Sequence, residues 1–342
     1  MSFRPVGLES WGIYIPKEHH TSEFIAKETG IPKEVIESKF GLKSKSVPGP
    51  DDHTVAMGAK ASFQALERAK ITPDDLDLII WAGEVYAERP MMTYGIKLQS
   101  LLGNPTRPWA FDINQRCGTF LVGMLLAKSL IQTNPNIHRV LVASGYRNCD
   151  LINYRNQRSR FMISLAASGA AAIIKADYQV NEILGISAIS DGRFADDVYV
   201  PAGGTVHPIS AEAIKQDLIY LDVPDPEGLK ERLDKFSMDS FVKVINDALN
   251  QSNYKMKDID YLALLHMKRS AFEYVAKAVG VDSYKQATYL EDIGHNGQND
   301  GIISLEYGIK EGKIKNGDIV VLTAAGIGWA WNAGVIRWGK VK

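Results

Sequence analysis

The chain has 342 residues, of which 45% are hydrophobic and 23% are charged, and its formal net charge at pH 7 is −1. These values are typical of a globular chain with two domains or one large α/β unit, and they exclude a strongly basic nucleic-acid binder and a disordered acidic chain. The two cysteines form neither a disulfide framework nor a metal-ligand spacing, so we expect a cytoplasmic protein without a metal.

The first half of the chain alternates predicted helices with apolar strands, which favours an α/β architecture. Runs such as "LIIWAG" and "RVLVASG" are nearly all apolar, as in strands that a sheet buries on both faces. In chain order, the pattern predicts a helix at 54–69, a strand within 65–83, a strand at 109–114, a helix at 118–130, and strands at 139–145 and 168–176.

The second half begins with a segment rich in Gly, Pro and Asp, 190–237, which we interpret as an insertion or connection. After it the pattern predicts a helix at 238–252, a strand within 248–266, a helix over 303–312, and strands at 319–326 and 332–338. The run 319–336 has no charge, but glycines interrupt it, so two adjacent buried strands fit it better than a membrane helix.

The chain contains an internal repeat. Residues 65–83 and 248–266 align without a gap at a spacing of 183, and both have Asp-apolar-Asp before an apolar strand. We therefore predict two similar halves, 1–176 and 177–342. The alternative is that two βα units look alike by chance.

Cys117 lies where the strand at 109–114 gives way to a helix. The positive end of a helix dipole and its free N–H groups favour a thiolate, the reactive form of cysteine, and the same N–H groups hold an oxyanion. One interpretation of Cys117 is therefore a nucleophile, and the other is a buried structural cysteine. Cys149, in a polar loop, is interpreted as structural or incidental.

Two of the seven histidines stand at positions where α/β sheets place their chemistry, namely strand ends and the loops after them. His266 ends the strand "YLALLH", and His295 lies in the glycine-bracketed loop "LEDIGHNGQNDG" before a helix. A histidine there takes a proton or donates one to a developing enolate oxygen. With Cys117 the two histidines form a candidate Cys/His/His set, and no metal-binding cluster competes with it.

These residues and the repeated α/β pattern resemble the thiolase superfamily. Chain length and the C-terminal "YGIKEGKIKNGDIVVL" are most similar to β-ketoacyl-ACP synthase III. The resemblance implies a duplicated α/β fold with α-β-α-β-α layers, and an acyltransferase of lipid metabolism and fatty acid biosynthesis that needs no cofactor.

The sequence departs from the synthase III pattern at several positions. That family usually has His-Gln-Ala-Asn where this chain has residues 266–269, and Gly-Asn where this chain has Gly294 and His295. The Gly-His loop is closer to thiolases, but the second cysteine that thiolases commonly carry is replaced by Ala324 and Ala325.

A further similarity, to archaeal-type hydroxymethylglutaryl-CoA synthases, covers "FGLKSKSVPGPDDHTVAMGA". That family uses a glutamate after the strand equivalent to "LIIWAG", which makes Glu84 a candidate catalytic residue. The alternative for Glu84 is a solvated loop acid.

The resemblance implies a reaction and roles for the residues. An acyl thioester of coenzyme A or acyl carrier protein acylates Cys117, and a second thioester supplies the carbanion for a new carbon–carbon bond. His266 and His295 stabilise the enolate or activate the thiol, and N–H groups of Cys117 and of Gly326 or Gly328 form an oxyanion hole. Candidate substrate-binding residues are Arg116, Lys43, Arg155, Arg158, Arg160, Lys268 and Arg269, with Trp329 at the acyl pocket; solvated charges and core packing are the alternatives.

Superfamily members are usually homodimers, so we expect a homodimer that binds neither nucleic acid nor a membrane. Three further functions stay open. One is a thiolase-like or hydroxymethylglutaryl-CoA synthase-like enzyme, working alone or with an accessory subunit. Another is a non-catalytic subunit that scaffolds an assembly, for which an inert Cys117 is the distinguishing property. The last is a cysteine hydrolase on another fold, against which the paired histidines and the repeat argue.

Overall fold

The computed structural model describes residues 4–266, 268–282, 285–286 and 289–340. In chain order the strands are β1 Val6–Tyr14, β2 Glu18–Thr21, β3 Ser44–Val47, β4 Leu78–Trp81, β5 Trp109–Asp112, β6 Arg139–Tyr146, β7 Ser168–Ala176, β8 Glu182–Ser190, β9 Tyr261–Leu264, β10 Ile319–Gly326 and β11 Ala330–Arg337. The helices are α1 Ser22–Thr29, α2 Lys33–Val35, α3 Thr54–Ala69, α4 Tyr94–Leu101, α5 Thr119–Thr133, α6 Ala211–Lys215, α7 Pro226–Gln251, α8 Arg269–Ala278, α9 Leu290–Ile293 and α10 Asp300–Lys310.

Within the described ranges, nine strands form one sheet in the order β5-β4-β6-β7-β1-β8-β11-β10-β9, and β2 pairs with β3 separately. β4 runs parallel to β5 and β6, and β9 runs parallel to β10, whereas the remaining ladders of the large sheet are antiparallel. Apart from β5 at one end, the sheet repeats one plan when read inward from both sides: β4, β6, β7, β1 from one side and β9, β10, β11, β8 from the other. We propose that this repetition reflects the two halves 1–176 and 177–342.

Helices lie outside each half of the sheet and between the halves. α3 packs on β1, β6 and β7, and α7 packs on β8 and β11. α5 and α10 contact strands from both halves, and the core around them includes Phe120, Met124 and Ile302. A helix that is apolar on most faces, such as α5, has to be buried in this way. The layers are therefore α-β-α-β-α, which confirms the predicted fold class.

The structure extends one predicted element. α7 begins at Pro226 instead of residue 238, so the last part of the segment 190–237 is helical, and this segment also contains α6. Asp225 caps α7 by accepting a hydrogen bond from the Gly228 N–H at 2.9 Å, and proline suits the first position of a helix. The same Pro and Asp residues that indicate a loop thus start this helix.

The uncharged run 319–336 forms the antiparallel strands β10 and β11, as predicted. Among the described residues, no helix is both long enough and apolar enough to cross a membrane.

Candidate active site

Cys117 lies in a 3-10 turn, Arg116–Gly118, immediately before α5. The Thr119 hydroxyl closes this turn, because it accepts from the Gln115 N–H at 2.7 Å and donates to the Arg116 carbonyl at 2.5 Å. Arg116 has φ of 52°, in the left-handed region that is uncommon for residues other than glycine. The Cys117 side chain is 4% exposed and sits at the predicted strand–helix join.

His295 lies between α9 and α10, and its backbone is fixed on both sides. Its N–H donates to the Ser164 carbonyl at 2.8 Å, and its carbonyl accepts from the Ala166 N–H at 2.9 Å. The ring lies beside the Cys117 side chain, which acts on its pKa, and its Nδ1 lies 2.6 Å from Asp300 Oδ2. Burial alone lowers the pKa of His295, but Asp300 and Cys117 raise it to about 10. His295 is therefore an imidazolium at neutral pH, paired with a carboxylate and with the thiol.

His266, two residues after the end of β9, contacts the same Asp300 carboxylate, but the pKa of its ring is lowered instead of raised. Its backbone N–H donates to Asp300 Oδ2 at 2.7 Å. Burial lowers the pKa of the His266 ring to about 4, since Asp300 opposes this only in part and His295 adds to it. The ring is neutral at neutral pH, and its Nε2 is buried without a hydrogen-bond partner in the described part of the chain. Nε2 is thus available to a substrate.

Glu84 is buried rather than solvated, with 2% of its surface exposed. Its Oε2 accepts from Arg116 Nη1 at 3.2 Å, and its Oε1 has no partner among the described residues. Burial raises the pKa of Glu84, and the neighbouring Arg116, Asn148 and His295 each oppose this rise. Arg116, the residue before Cys117 with a left-handed backbone, therefore places its guanidinium group against the buried carboxyl group of Glu84.

Gly326 ends β10 against the Cys117 turn. A Cβ at this position would lie 2.3 Å from the Gln115 carbonyl oxygen and 3.2 Å from the Cys117 nitrogen, so only glycine fits. The structure thus brings Gly326 to the predicted oxyanion hole. Gly328 has φ of 119° and faces open space, so its geometry is that of a turn residue between β10 and β11.

A cavity of about 550 Å³ reaches Cys117, His266 and His295. Its apolar wall comes from the segment before β7, the first turns of α7 and the β10–β11 turn: Phe161, Leu165, Leu229, Leu233, Phe241 and Trp329. Trp329 also packs on Phe194, with ring centroids 5.6 Å apart, so it serves both the cavity and the core. A mainly apolar cleft that reaches a thiol suits an acyl thioester.

Only Lys268, of the predicted cations, lines this cavity. Lys43 and Arg269 both pair with Glu291 at 2.8 Å, and Arg158 pairs with Asp222. Arg160 donates to the Thr29 carbonyl, and Arg155 is exposed. The structure therefore does not bring these cations together into one phosphate site.

The sequence analysis missed Asp300 and Tyr146. Asp300 is fully buried, and besides the two histidines it accepts from the Asn296 N–H at 2.8 Å. Its position five residues after His295, at a helix start, is the one available signal. The Tyr146 ring lies 6.1 Å from the His295 ring and against Gly297, where a Cβ would be 2.3 Å from it, and only packing reveals this contact.

The described residues contain no group of three His, Cys, Asp or Glu side chains arranged to hold a metal ion.

Comparison with known proteins relates the whole chain to one family. Residues 111–192 match the family described as 3-oxoacyl-[acyl-carrier-protein (ACP)] synthase III, and residues 249–338 match the C-terminal family of the same description. Together the two matches cover just over half of the chain.

Similar proteins align over nearly their full length. The β-ketoacyl-[acyl-carrier-protein] synthase III of Symbiobacterium thermophilum is 25% identical over 340 residues, which are 99% of this chain and 100% of the relative. That of Caldanaerobacter subterraneus is 27% identical over 334 residues, which are 98% of each chain. The crystal structure of 3-oxoacyl-[acyl-carrier-protein] synthase III from Aquifex aeolicus superposes with a TM-score of 0.84 at 20% identity, and covers 97% of this chain and 100% of the other.

Proposed function

The chain belongs to the condensing enzymes of the thiolase superfamily, of the 3-oxoacyl-[acyl-carrier-protein] synthase III type, and is an acyltransferase; on this premise we propose that it carries its acyl group on Cys117. One observation carries the proposal: His295 contacts Cys117 while its Nδ1 lies 2.6 Å from Asp300. A carboxylate, an imidazole and a thiol in this order generate a nucleophilic thiolate.

In the first half-reaction, the Cys117 thiolate attacks the carbonyl carbon of an acyl thioester. The carbonyl oxygen becomes an oxyanion, for which the Cys117 N–H and a backbone N–H beside Gly326 are the available donors. The intermediate then expels the carrier thiolate, which takes the proton held by His295. The acyl group remains on Cys117 as a new thioester.

In the second half-reaction, a thioester with a carboxyl group on its α-carbon loses carbon dioxide. The resulting α-carbanion attacks the acyl carbon, so that a carbon–carbon bond forms and the carbon–sulfur bond to Cys117 breaks. The neutral His266, with its ring proton on the unpaired Nε2, is the proposed hydrogen-bond donor to the enolate oxygen. A proton from solvent restores the imidazolium of His295.

Glu84 supports a second candidate function, a thiolase-like or hydroxymethylglutaryl-CoA synthase-like condensation without loss of carbon dioxide. Its Oε1 is buried without a partner among the described residues, and burial raises its pKa, which makes the carboxylate a stronger base. In this version Glu84 removes the α-proton of the second thioester. An accessory subunit belongs to this alternative.

Coenzyme A and acyl carrier protein are both proposed as carriers, because the cavity accommodates the acyl thioester end that they share. The relatives are named for acyl carrier protein. Both cysteines are free, as a reducing compartment such as the cytoplasm favours, and a free thiol is what the reaction needs.

We also propose that two copies pair along β5. This strand is at one end of the sheet, with β4 as its neighbour. Trp109 is 54% exposed and stacks on Phe111 at 5.2 Å, and an exposed edge strand offers unpaired backbone groups to another strand. Trp109→Lys is expected to convert a dimer to a monomer in analytical ultracentrifugation, whereas a dimer that survives this change would refute the pairing.

Intact-protein mass spectrometry tests the main proposal. The protein is incubated with acetyl, branched, aromatic and dicarboxylic acyl thioesters, with Cys117→Ala as control. A mass gain equal to the acyl group, absent in the variant, is expected with at least one donor. An inert Cys117 toward every coenzyme A and carrier-protein donor contradicts it and favours the scaffold function.

Glu84→Gln separates the two condensations. Turnover with an α-carboxylated second thioester is expected to change by no more than about threefold, because decarboxylation needs no base. A loss of about a hundredfold with a second thioester that lacks the carboxyl group, the usual contribution of a general base, supports the alternative instead. Acylation of Cys117 by the first thioester is the internal control.

A further inference from the structure

Lys45 is a completely buried lysine that the proposed reaction does not use. It lies in β3, has no exposed surface, and its Nζ donates a hydrogen bond to the Leu165 carbonyl at 2.8 Å. The Tyr154 ring lies 5.0 Å from the same nitrogen. No carboxylate of the described chain lies within ion-pair distance of Lys45. A buried ammonium group with neutral partners is costly, so a lysine here requires a specific reason.

The carbonyl that Lys45 holds belongs to the segment that fixes His295. Ser164, on one side of Leu165, accepts from the His295 N–H at 2.8 Å, and Ala166, on the other side, donates to the His295 carbonyl at 2.9 Å. Leu165 itself pairs with His295 as an isolated β-bridge. Lys45 therefore binds the middle residue of the three that bracket the histidine.

The side chain of Lys45 also packs closely against the loop that contains Gly294 and His295. Gly294, the residue before His295, has φ of 73°, and a Cβ there would lie 2.7 Å from Lys45 Cβ and 2.7 Å from the Ser164 carbonyl oxygen. The stem of Lys45 thus packs against the loop while its ammonium group holds the bracketing segment. Burial lowers the pKa of Lys45 to about 8, with Cys149 and Asp150 acting against it, so the ammonium form dominates at neutral pH.

We propose that Lys45 is a positioning residue for His295, which keeps the imidazole ring between Cys117 and Asp300. The inference rests on the proposed pairing of Cys117 with His295. Lys45 does not touch the thiol, and its effect passes through the backbone of residues 164–166.

The test is the rate at which iodoacetamide alkylates Cys117 as a function of pH, measured by peptide mass spectrometry that distinguishes Cys117 from Cys149. Lys45→Met is expected to slow alkylation at about pH 7 by about tenfold, because a displaced imidazole no longer stabilises the thiolate form of Cys117. Its melting temperature is expected to stay the same or rise, since an apolar side chain replaces a buried charge. Lys45→Arg, which keeps the charge and donors, is expected to recover most of the rate.

Lys128→Met is the matched control. Lys128 is also largely buried and donates to a backbone carbonyl, that of Leu184, but this contact has no connection to His295. Its alkylation profile is expected to equal that of the wild type. An unchanged profile in folded Lys45→Met overturns the proposal; if that variant does not fold, Lys45→Leu, which also removes the donor to the Leu165 carbonyl, takes its place under the same criterion.

His295→Ala separates this proposal from the one on which it depends. If His295→Ala alkylates like the wild type, the pairing of Cys117 with His295 is wrong and the proposed function fails. If His295→Ala differs from the wild type but Lys45→Met does not, only the positioning role of Lys45 is wrong.

Discussion

The two helices of the central layer, α5 and α10, begin in the same way and yet do different things. A 3-10 turn precedes each helix. In both, the side chain of the first helical residue accepts a hydrogen bond from the N–H four residues earlier: Thr119 from Gln115 at 2.7 Å, and Asp300 from Asn296 at 2.8 Å. The two turns share this hydrogen-bond pattern, but the residue that accepts the closing hydrogen bond differs between them.

The difference lies in the charge of that residue. Thr119 is neutral and closes only its own turn, next to Cys117. Asp300 has a second carboxylate oxygen, which takes the N–H of His266 and contacts the ring of His295. One 3-10 turn thus contains Cys117, and the residue that closes the other turn places a carboxylate on the charged ring of His295. The two turns share a hydrogen-bond geometry, and the ionisable side chain of Asp300 gives the second turn a different role.

His295 lies between Cys117, in the first turn, and Asp300, which closes the second, so its removal leaves Cys117 without its acid–base partner. His295→Ala is expected to lower the single-turnover rate of Cys117 acylation about a thousandfold, within the usual contribution of a general acid–base residue. Alkylation of Cys117 well above neutral pH is the control, because hydroxide then ionises the thiol without help. An acylation rate within tenfold of the wild type contradicts the assignment.

Asp300→Asn removes the charge that distinguishes the second turn but keeps an oxygen for the Asn296 N–H. The pKa of His295 is expected to fall, because the carboxylate that raises it is gone. We expect about a hundredfold slower acylation at neutral pH, again within the range for acid–base catalysis. Titration of the His295 ring by NMR gives the decisive measurement: an unchanged pKa would show that Asp300 is not its source.

The pairing of His295 with Asp300 is also expected to make the stability of the protein depend on pH. His295 has an ordinary pKa of 6.5 and a folded pKa of about 10, so its stabilising contribution is complete below the first value and is lost as pH rises through the second. Urea unfolding across this interval is expected to show a decline in the free energy of unfolding for the wild type and a smaller decline for Asp300→Asn. Parallel curves for the two proteins would contradict the electrostatic account.

Thr119→Val tests the neutral turn and carries the smallest effect. It removes the acceptor of the Gln115 N–H, which is expected to lower the free energy of unfolding by about 1 kcal/mol. The alkylation rate of Cys117 is expected to stay within about threefold, since no charge is lost. Urea denaturation and alkylation of the same sample measure both; a loss as large as that of Asp300→Asn would erase the distinction between the turns.

The sequence is sufficient for most of the fold because burial on both faces leaves a simple pattern. β4, β6 and β10 are almost entirely apolar, and α3 occupies the predicted range 54–69. The start of α7 could not be predicted in the same way, since Asp225 and Pro226 are equally typical of a loop.

Part of the candidate site could likewise be predicted from the sequence, and part of it could not. Cys117, His266 and His295 could be found because their residue types stand at strand ends and helix starts. Glu84 accepts a hydrogen bond from Arg116, 32 residues away, and Lys43 and Arg269 pair with Glu291 on a surface that only the folded chain forms. Distant contacts of this kind leave no periodic signal in the sequence.

The position of α5 between two halves also matters while the chain is being synthesised. The first half of the sheet can close once β7 has left the ribosome, because Val6 of β1 pairs with Ala176. β10 and β11, which lie against the other side of α5, are translated last. A nascent chain therefore exposes part of the apolar surface of α5 to water until β10 and β11 have been made.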